Sequence, residues 1–524
     1  MTISGADDEK PAEFGGYNLS RYLHDVEADG LTATWERICR HLIRHGEDKF
    51  LCLRNFGRLY EAGLALRDKG QKKRSGQYYT PDDVAKLMAD ELLPLPGTNL
   101  CDVACGTGRL ILGCLDRMGE EKARELLAEG RVWLYDFDQT ALAICRSAIR
   151  YRYGDACAEA VHTVAGDFLS RRVALPDDCK VIANPPYAKY AELGKDWTRT
   201  NVQRGIREYY TAFMEKILSR SRSSVLITPY SFISGKRFYP LRKVLDRFGG
   251  AIYSFDNVPA MIFRGQKHGV FNSNVNNSVR AAITVTAEGE KRGYRVSPLI
   301  RFKNSERARL LTREALGAFL PRSRQRITLK EPMYRKCFPA LEGLYDRWLR
   351  RAEGHTLSEL FAGRKAPKRW ELFMPNTCRY YTAASLSRLS RTGQVALSFK
   401  EPGALPYAYC LSNSSFAYWY WRMFDGGIIY QRRLLRKLPS LYHRLTDDDR
   451  RFFAETTQEM AASAERFKIT KKNVGLQESI RFPRRYRDRI NARVIAILGL
   501  DLDCRLLDLV HSNMALKINV TGEE

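Results

Sequence analysis

Residues 100–111 read "LCDVACGTGRLI", and the order of residue types in this stretch decides the fold. An apolar run closes on Asp102, Gly106 and Gly108 follow in a turn, and a helix opens near Arg109. Glycines let the backbone approach a ligand closely, and the first amides of a helix point outward unsatisfied. Working outward, further short apolar runs follow: "VWLYDFD" (132–138), "HTVAGDF" (162–168), "CKVIANPP" (179–186), "SSVLITP" (223–229), "AIYSFDNV" (251–258) and "RAAITVTA" (280–287). Helical stretches at 108–118, 139–151 and 209–220 separate several of them. This alternation predicts an α/β fold with a doubly wound, largely parallel sheet reaching to about residue 300. In such sheets ligands bind outside the carboxyl ends of the strands.

The strand ends carry the chemistry. The second ends in Asp136 and Asp138, where a carboxylate can take two ribose hydroxyls. An Asp capping the next helix is the competing use, and Asp138 suits it better than Asp136. The third ends in Asp167 and Phe168, an acceptor for an adenine amino group and a ring to cover the base, against a plain turn Asp. Three consecutive strands ending in carboxylates favour a nucleotide-like ligand over three unrelated turns. The fourth ends "ANPPYAKY" (183–190). Two prolines fix the backbone directly after Asn184, so its side-chain oxygen and the Pro185 carbonyl are held at one point in space. Upstream, "SGQYYTP" (75–81) breaks the periodicity before "PDDVAKLMADELL". That helix is expected to have Thr80 as its N-cap and Pro81 at its first position.

"DVACGTG" (102–108) followed by "NPPY" (184–187) resembles the signature pair of S-adenosylmethionine-dependent amino-methyltransferases. With "SGQYYTP" before them, the chain resembles a gamma-class N6-adenine DNA methyltransferase of the TaqI-like and type I modification-subunit kind. The resemblance covers roughly 70–300 and implies a Rossmann-like methyltransferase sheet. It assigns Gln77, Tyr78, Tyr79, Thr80 and Pro81 to the loop around the methionine moiety. Asp102 would lie near the methionine ammonium, with Ala104, Gly106 and Gly108 lining the cofactor turn. Asp136 would hold the ribose, Asp167 the adenine N6 and Phe168 its face. Asn184, Pro185, Pro186 and Tyr187 would receive the target base. Val103 stands where the family more usually has proline. For the aromatic on the second face of the base, Phe263 in "NVPAMIF" is the candidate, with a core phenylalanine as the alternative. No metal is implied.

Composition bounds the rest. The chain has 524 residues, 44% of them hydrophobic, enough for two or three folded domains. Lys plus Arg number 86 against 60 Asp plus Glu, for a net charge of +26. Residues 1–200 hold 28 basic and 31 acidic side chains; residues 201–524 hold 58 and 29. The positive charge therefore sits downstream, as expected of a part that grips a polyanion. A division follows into an N-terminal helical segment (1–70), a methyltransferase domain (71–315) and a basic target-recognition domain of mixed structure (320–524). Basic and aromatic residues cluster in "GRKAPKRW" (363–370), "WYWRMF" (419–424), "YQRRLLRK" (430–437) and "RFPRRYRDR" (481–489). Any one can be a solvated helix face; together they fit phosphate neutralisation. The stretch "LSNSSFAYWYWRMFDGG" (411–427) resembles recognition regions of methyltransferases that accompany type IIS restriction enzymes.

The twelve cysteines include no CxxC pair, which fits a reduced, cytoplasmic protein; the resemblance implies a prokaryotic one associated with the nucleoid. No apolar run is long enough to span a membrane. The expected partners are double-stranded DNA and a cognate restriction endonuclease or defence subunit. Two other readings stay open: a modification subunit active only beside a separate specificity subunit, and methylation of RNA or of a protein glutamine. The basic C-terminal region argues against a protein substrate. A fused nuclease is not expected, since only about 70 residues precede the first motif.

Overall fold

Strand β1 (Asn99–Asp102) lies inside one eight-stranded sheet. The others are β2 (Val132–Asp136), β3 (His162–Ala165), β4 (Cys179–Ala183), β5 (Ser223–Pro229), β6 (Gly249–Phe255), β7 (Ala281–Ala287) and β8 (Gly293–Ile300). Their order is β8-β6-β7-β5-β4-β1-β2-β3. Strands β1 to β5 pair in parallel, while β7 runs antiparallel to both β5 and β6. Every residue of β7 is buried, as a near-continuous apolar run in a sheet covered on both faces requires. The seven apolar runs all became strands. The eighth, "GYRVSPLI", carries Arg295, Ser297 and Pro298, and these polar and imino positions hid it.

The order reverses at β1, which lies between β4 and β2. The loops leaving β1 and β4 therefore part in opposite directions and open a crevice at the strands' carboxyl ends. Helices α1 (Asp82–Leu92), α2 (Arg109–Met118), α3 (Gln139–Tyr153) and α4 (Tyr209–Leu218) frame it. The end of α1 is held by Lys180 of β4, whose Nζ donates to the carbonyls of Leu93 and Leu95 at 3.0 Å each. A lysine there satisfies carbonyls that the helix leaves without partners.

The computed structural model describes residues 13–14, 17–18, 57, 60, 80–264, 279–363, 370–378, 380–425, 427, 429–473 and 475–512. Most of the helical segment expected over 1–70, the loop residues Gln77, Tyr78 and Tyr79, and most of "GRKAPKRW" lie outside them. The chain divides into two compact units: Met1–Arg295 with Ile300–Ala318 and Ser323–Met333, and Val296–Leu299 with Phe319–Arg322 and Tyr334–Glu524. The chain passes between the units more than once over 295–334, and from Tyr334 onward it stays in the second.

The second unit packs helices α5 (Glu342–Ala352), α6 (Ala404–Ser412), α7 (Ser415–Phe424), α8 (Asp447–Ser463) and α9 (Arg484–Ile497) around one aromatic core. This corrects the reading of "WYWRMF" as a nucleic-acid contact. Trp419, Trp421 and Met423 are fully buried, and even Arg422 is only 5% exposed. Trp419 stacks on Trp348 with ring centroids 6.3 Å apart. Alternating aromatic and basic letters cannot tell a wet stacking surface from a core whose one arginine is buried with it. Among the described basic clusters, exposed side chains come instead from Arg432, Arg436 and Lys437 and from Arg481, Arg484, Arg485 and Arg489.

Candidate active site

The loops after β1, β2, β3 and β4 open on one cavity of about 510 Å³, within the usual range for small-molecule sites. Ala104 and Gly106 line it after β1, Asp136 after β2, Asp167 and Phe168 after β3, and Asn184 and Pro186 after β4. Thr80, just before α1, completes the wall. Five other candidates, Pro81, Asp102, Gly108, Pro185 and Tyr187, do not line the cavity.

The glycine turn is built for close approach at one position and for packing at the other. Gly106 has φ 51° and a Cβ placed on it would meet nothing within 4 Å, so its backbone faces open space. Gly108 has φ 88°, and a Cβ there would stand 2.2 Å from Cys145 Sγ. Gly108→Ala is therefore expected to lower unfolding stability by about 2–5 kcal/mol, combining left-handed strain with overpacking. Thermal melts test this; an unchanged melting temperature would mean the turn relaxes without cost.

Asp102 is fully buried beneath this turn. Its Oδ1 accepts from the Ala104 amide at 3.3 Å, and its Oδ2 is buried with no hydrogen-bond partner among the described residues. Burial, and then the nearby Asp136 charge, push its pKa from the ordinary 3.8 up to about 8. An ionised carboxylate is costly in such a place unless a donor or cation reaches it. Burial also raises Asp136, although it accepts from the Gly106 amide at 2.8 Å and the Asp138 amide at 3.0 Å. Asp138 caps α3, taking the amides of Thr140 and Ala141 and the Tyr60 hydroxyl. The two acids of "DFD" thus divide their work, one at the cavity and one at the helix.

Asp167 is held by the Trp197 indole N–H at 2.6 Å and the Leu169 amide at 2.9 Å. Phe168 is 3% exposed, with its ring against Phe213 at 5.0 Å and Lys216 Nζ 4.6 Å from its centre. Burial pulls that lysine down to about 8. The most exposed ring at the cavity is Phe137, 68% exposed between Asp136 and Asp138. Sequence reasoning passed over it, although an aromatic directly after a strand-end acid was the available signal. Tyr209 and Phe213 also line the cavity; their i,i+4 spacing on α4 was a second missed signal. Trp197 and the cavity-lining Lys189 lie in irregular chain and left none.

Asn184 Nδ2 donates to Thr80 Oγ1 at 3.0 Å. This corrects the expected cap: α1 begins at Asp82 with Pro81 in the N-cap position, and the Thr80 hydroxyl serves Asn184 instead. The contact orients the amide so that Oδ1 lies opposite Thr80. Tyr187 is pinned by its hydroxyl to the Ile227 carbonyl at 3.0 Å. Phe263 is 2% exposed and meets the Tyr187 ring edge-on at 5.9 Å. It is a buried ring, as the core alternative anticipated, yet its neighbour belongs to "NPPY".

The residues fit S-adenosylmethionine: a buried Asp102 carboxylate oxygen with no partner among the described residues, an open cradle at Gly106, and acceptors at Asp136 and Asp167 spaced around one cavity. Among the described residues, no group of three or more His, Cys, Asp or Glu could hold a metal ion. Nor is any helix among them long and apolar enough to cross a membrane.

Comparison with known proteins gives a match to the N-6 DNA Methylase family over residues 54–222. A type I restriction enzyme MjaIX methylase subunit from Methanocaldococcus jannaschii is 35% identical over 66 residues, 13% of this chain and 12% of the relative. The MpnII methylase subunit from Mycoplasma pneumoniae is 28% identical over 93 residues, 17% and 16% of the two chains. These matches therefore span well under a fifth of either relative. A solved structure of a nuclease-deletion mutant of the Type ISP restriction-modification enzyme LlaGI, in complex with a DNA substrate mimic, aligns with 85% of this chain and 62% of its own. Its TM-score is 0.43 and its identity 12%. The residues that match the N-6 DNA Methylase family, 54–222, hold both the glycine turn and the NPPY loop that open on the one cavity.

Proposed function

We propose that this protein transfers a methyl group from S-adenosylmethionine to adenine N6 in duplex DNA, as the modification component of a restriction or phage-defence system. The observation that carries this reading is the shared cavity: Asn184 stands in the same space as Gly106, Asp136 and Asp167. When bound, S-adenosylmethionine supplies an electrophilic methyl on a sulfonium. The adenine amine is a weak nucleophile because its lone pair is delocalised into the ring. Asn184 Oδ1 and the Pro185 carbonyl accept its two hydrogens and favour a tetrahedral nitrogen, a stabilisation that grows toward the transition state. No early general base is needed. Positioning does much of the remainder, on the order of 7–11 kcal/mol for well-oriented reactants.

A stacked base cannot enter the cavity, so it is extruded at a cost of a few kcal/mol that stacking on aromatic rings offsets. The exposed arginines of the second unit neutralise phosphates, which makes affinity fall steeply with salt.

Purified protein with labelled S-adenosylmethionine and genomic DNA lacking adenine methylation should place label on N6. Absence of transfer under all conditions would reject the reading. Transfer only after adding another subunit would support the complex-dependent alternative, which the relatives' description as methylase subunits favours. Sequencing methylated bases in cells expressing the gene gives base, position and recognition site together.

A further inference from the structure

Arg307 lies beyond every motif and has no exposed side-chain surface. Its guanidinium makes four contacts. Nε and Nη2 grip the Asp83 carboxylate bidentately, at 2.5 and 2.9 Å. Nη1 donates to the Met261 carbonyl at 3.0 Å, and Nη2 also to the Ile262 carbonyl at 2.6 Å. Asp83 sits in the first turn of α1, three residues after the Thr80 that holds Asn184. Met261 and Ile262 directly precede Phe263, which packs on Tyr187. One side chain therefore joins the segment that orients Asn184 to the segment that backs Tyr187.

The root of the second segment is pinned separately. Asp256 accepts from Arg280 and Arg301 at 2.8 Å each. The length between that root and Phe263 is tied down by Arg307 at its far end. A fully buried guanidinium is expensive to desolvate, and replacing a buried ion pair whole by apolar residues is often neutral, whereas removing one partner destabilises. What an apolar residue cannot do is set a fixed distance between a carboxylate and two carbonyls. A lysine keeps the charge but not the fork.

We infer that Arg307 is a positioning residue that sets the spacing between the Thr80–Asn184 pair at the cavity and the Tyr187–Phe263 pair just outside its lining. The inference rests on the methyl-transfer reading for its catalytic consequence, whereas the clamp itself is measurable without activity. In the full chain, Arg307→Met should speed hydrogen exchange at least tenfold in the amides of 257–263, leaving the strands unchanged. The dissociation constant for S-adenosylmethionine should stay within threefold, KM for DNA should change little, and kcat should fall at least 30-fold. Arg307→Lys should recover thermal stability without recovering kcat, a split that a purely structural role does not produce.

Unchanged exchange over 257–263 would overturn the clamp. A kcat within threefold of the unmodified protein, or full rescue by lysine, would overturn the positioning role. If Arg307→Met does not fold, Arg307→Lys and Asp83→Asn carry the same measurements, since each breaks the fork while leaving the cavity volume nearly intact. If the unmodified protein transfers no methyl to adenine, the functional reading fails, and the exchange data still decide whether Arg307 holds the two pairs.

Discussion

Asn184→Ala is expected to lower kcat by about 10²- to 10³-fold, the usual effect of removing one preorganised partner from a developing charge. The S-adenosylmethionine dissociation constant should move less than threefold. The reasoning is geometric: Asn184 reaches Thr80, while Asp136 takes the Gly106 amide independently of it, so deleting Asn184 leaves that contact of the cofactor wall standing. Single-turnover methyl transfer alongside an equilibrium cofactor titration separates the two effects. Activity within tenfold of the unmodified protein would remove Asn184 from the mechanism. Asn184→Asp is a sharper companion, because it keeps shape and replaces a neutral acceptor with one whose charge a developing ammonium would attract.

Asp102→Asn is expected to move stability and function in opposite directions. Asp102 has a folded-state pKa of about 8 against an ordinary 3.8, so the fold prefers its neutral form. Such a group contributes its stability in full below about pH 4 and loses it as pH rises through the folded-state value. Asparagine remains neutral throughout. The variant's melting temperature, measured without cofactor, should therefore match the unmodified protein near pH 4 and exceed it by a margin that widens toward pH 8. Affinity for S-adenosylmethionine should fall at least tenfold, because the anion that would meet the ammonium is gone. A margin independent of pH would show that Asp102 does not titrate in this range. Unaltered affinity would take it out of the cofactor site. The same burial that makes the free protein less stable at neutral pH strengthens attraction to an incoming cation.

Much of the sheet was legible because each of seven strands is a short apolar run bounded by turn residues. The eighth failed that test, since Ser297 and Pro298 interrupt it. The cavity's acids were legible because strand ends in a parallel sheet point one way. The division of labour between Asp136 and Asp138 was legible too, since only the second precedes a helix at the capping distance. The Thr80–Asn184 hydrogen bond was not, because its partners are 104 residues apart. The aromatic stretch 416–424 misled for a related reason: composition registers the presence of tryptophan beside arginine, while burial depends on what lies across from them. Phe137 went unnoticed because the acids on either side explained the segment without it.

Local order along the chain determined the α/β class, the position of the glycine turn and the strand ends on which the chemistry stands. Those are consequences of neighbouring residues, through backbone geometry and hydrophobic periodicity. Tertiary structure alone decided that Thr80 serves Asn184, that Arg307 binds Asp83 across 224 positions, and that the tryptophans of the second unit face inward. Each is a pairing between distant segments, and its energy depends on a separation that only the folded chain establishes.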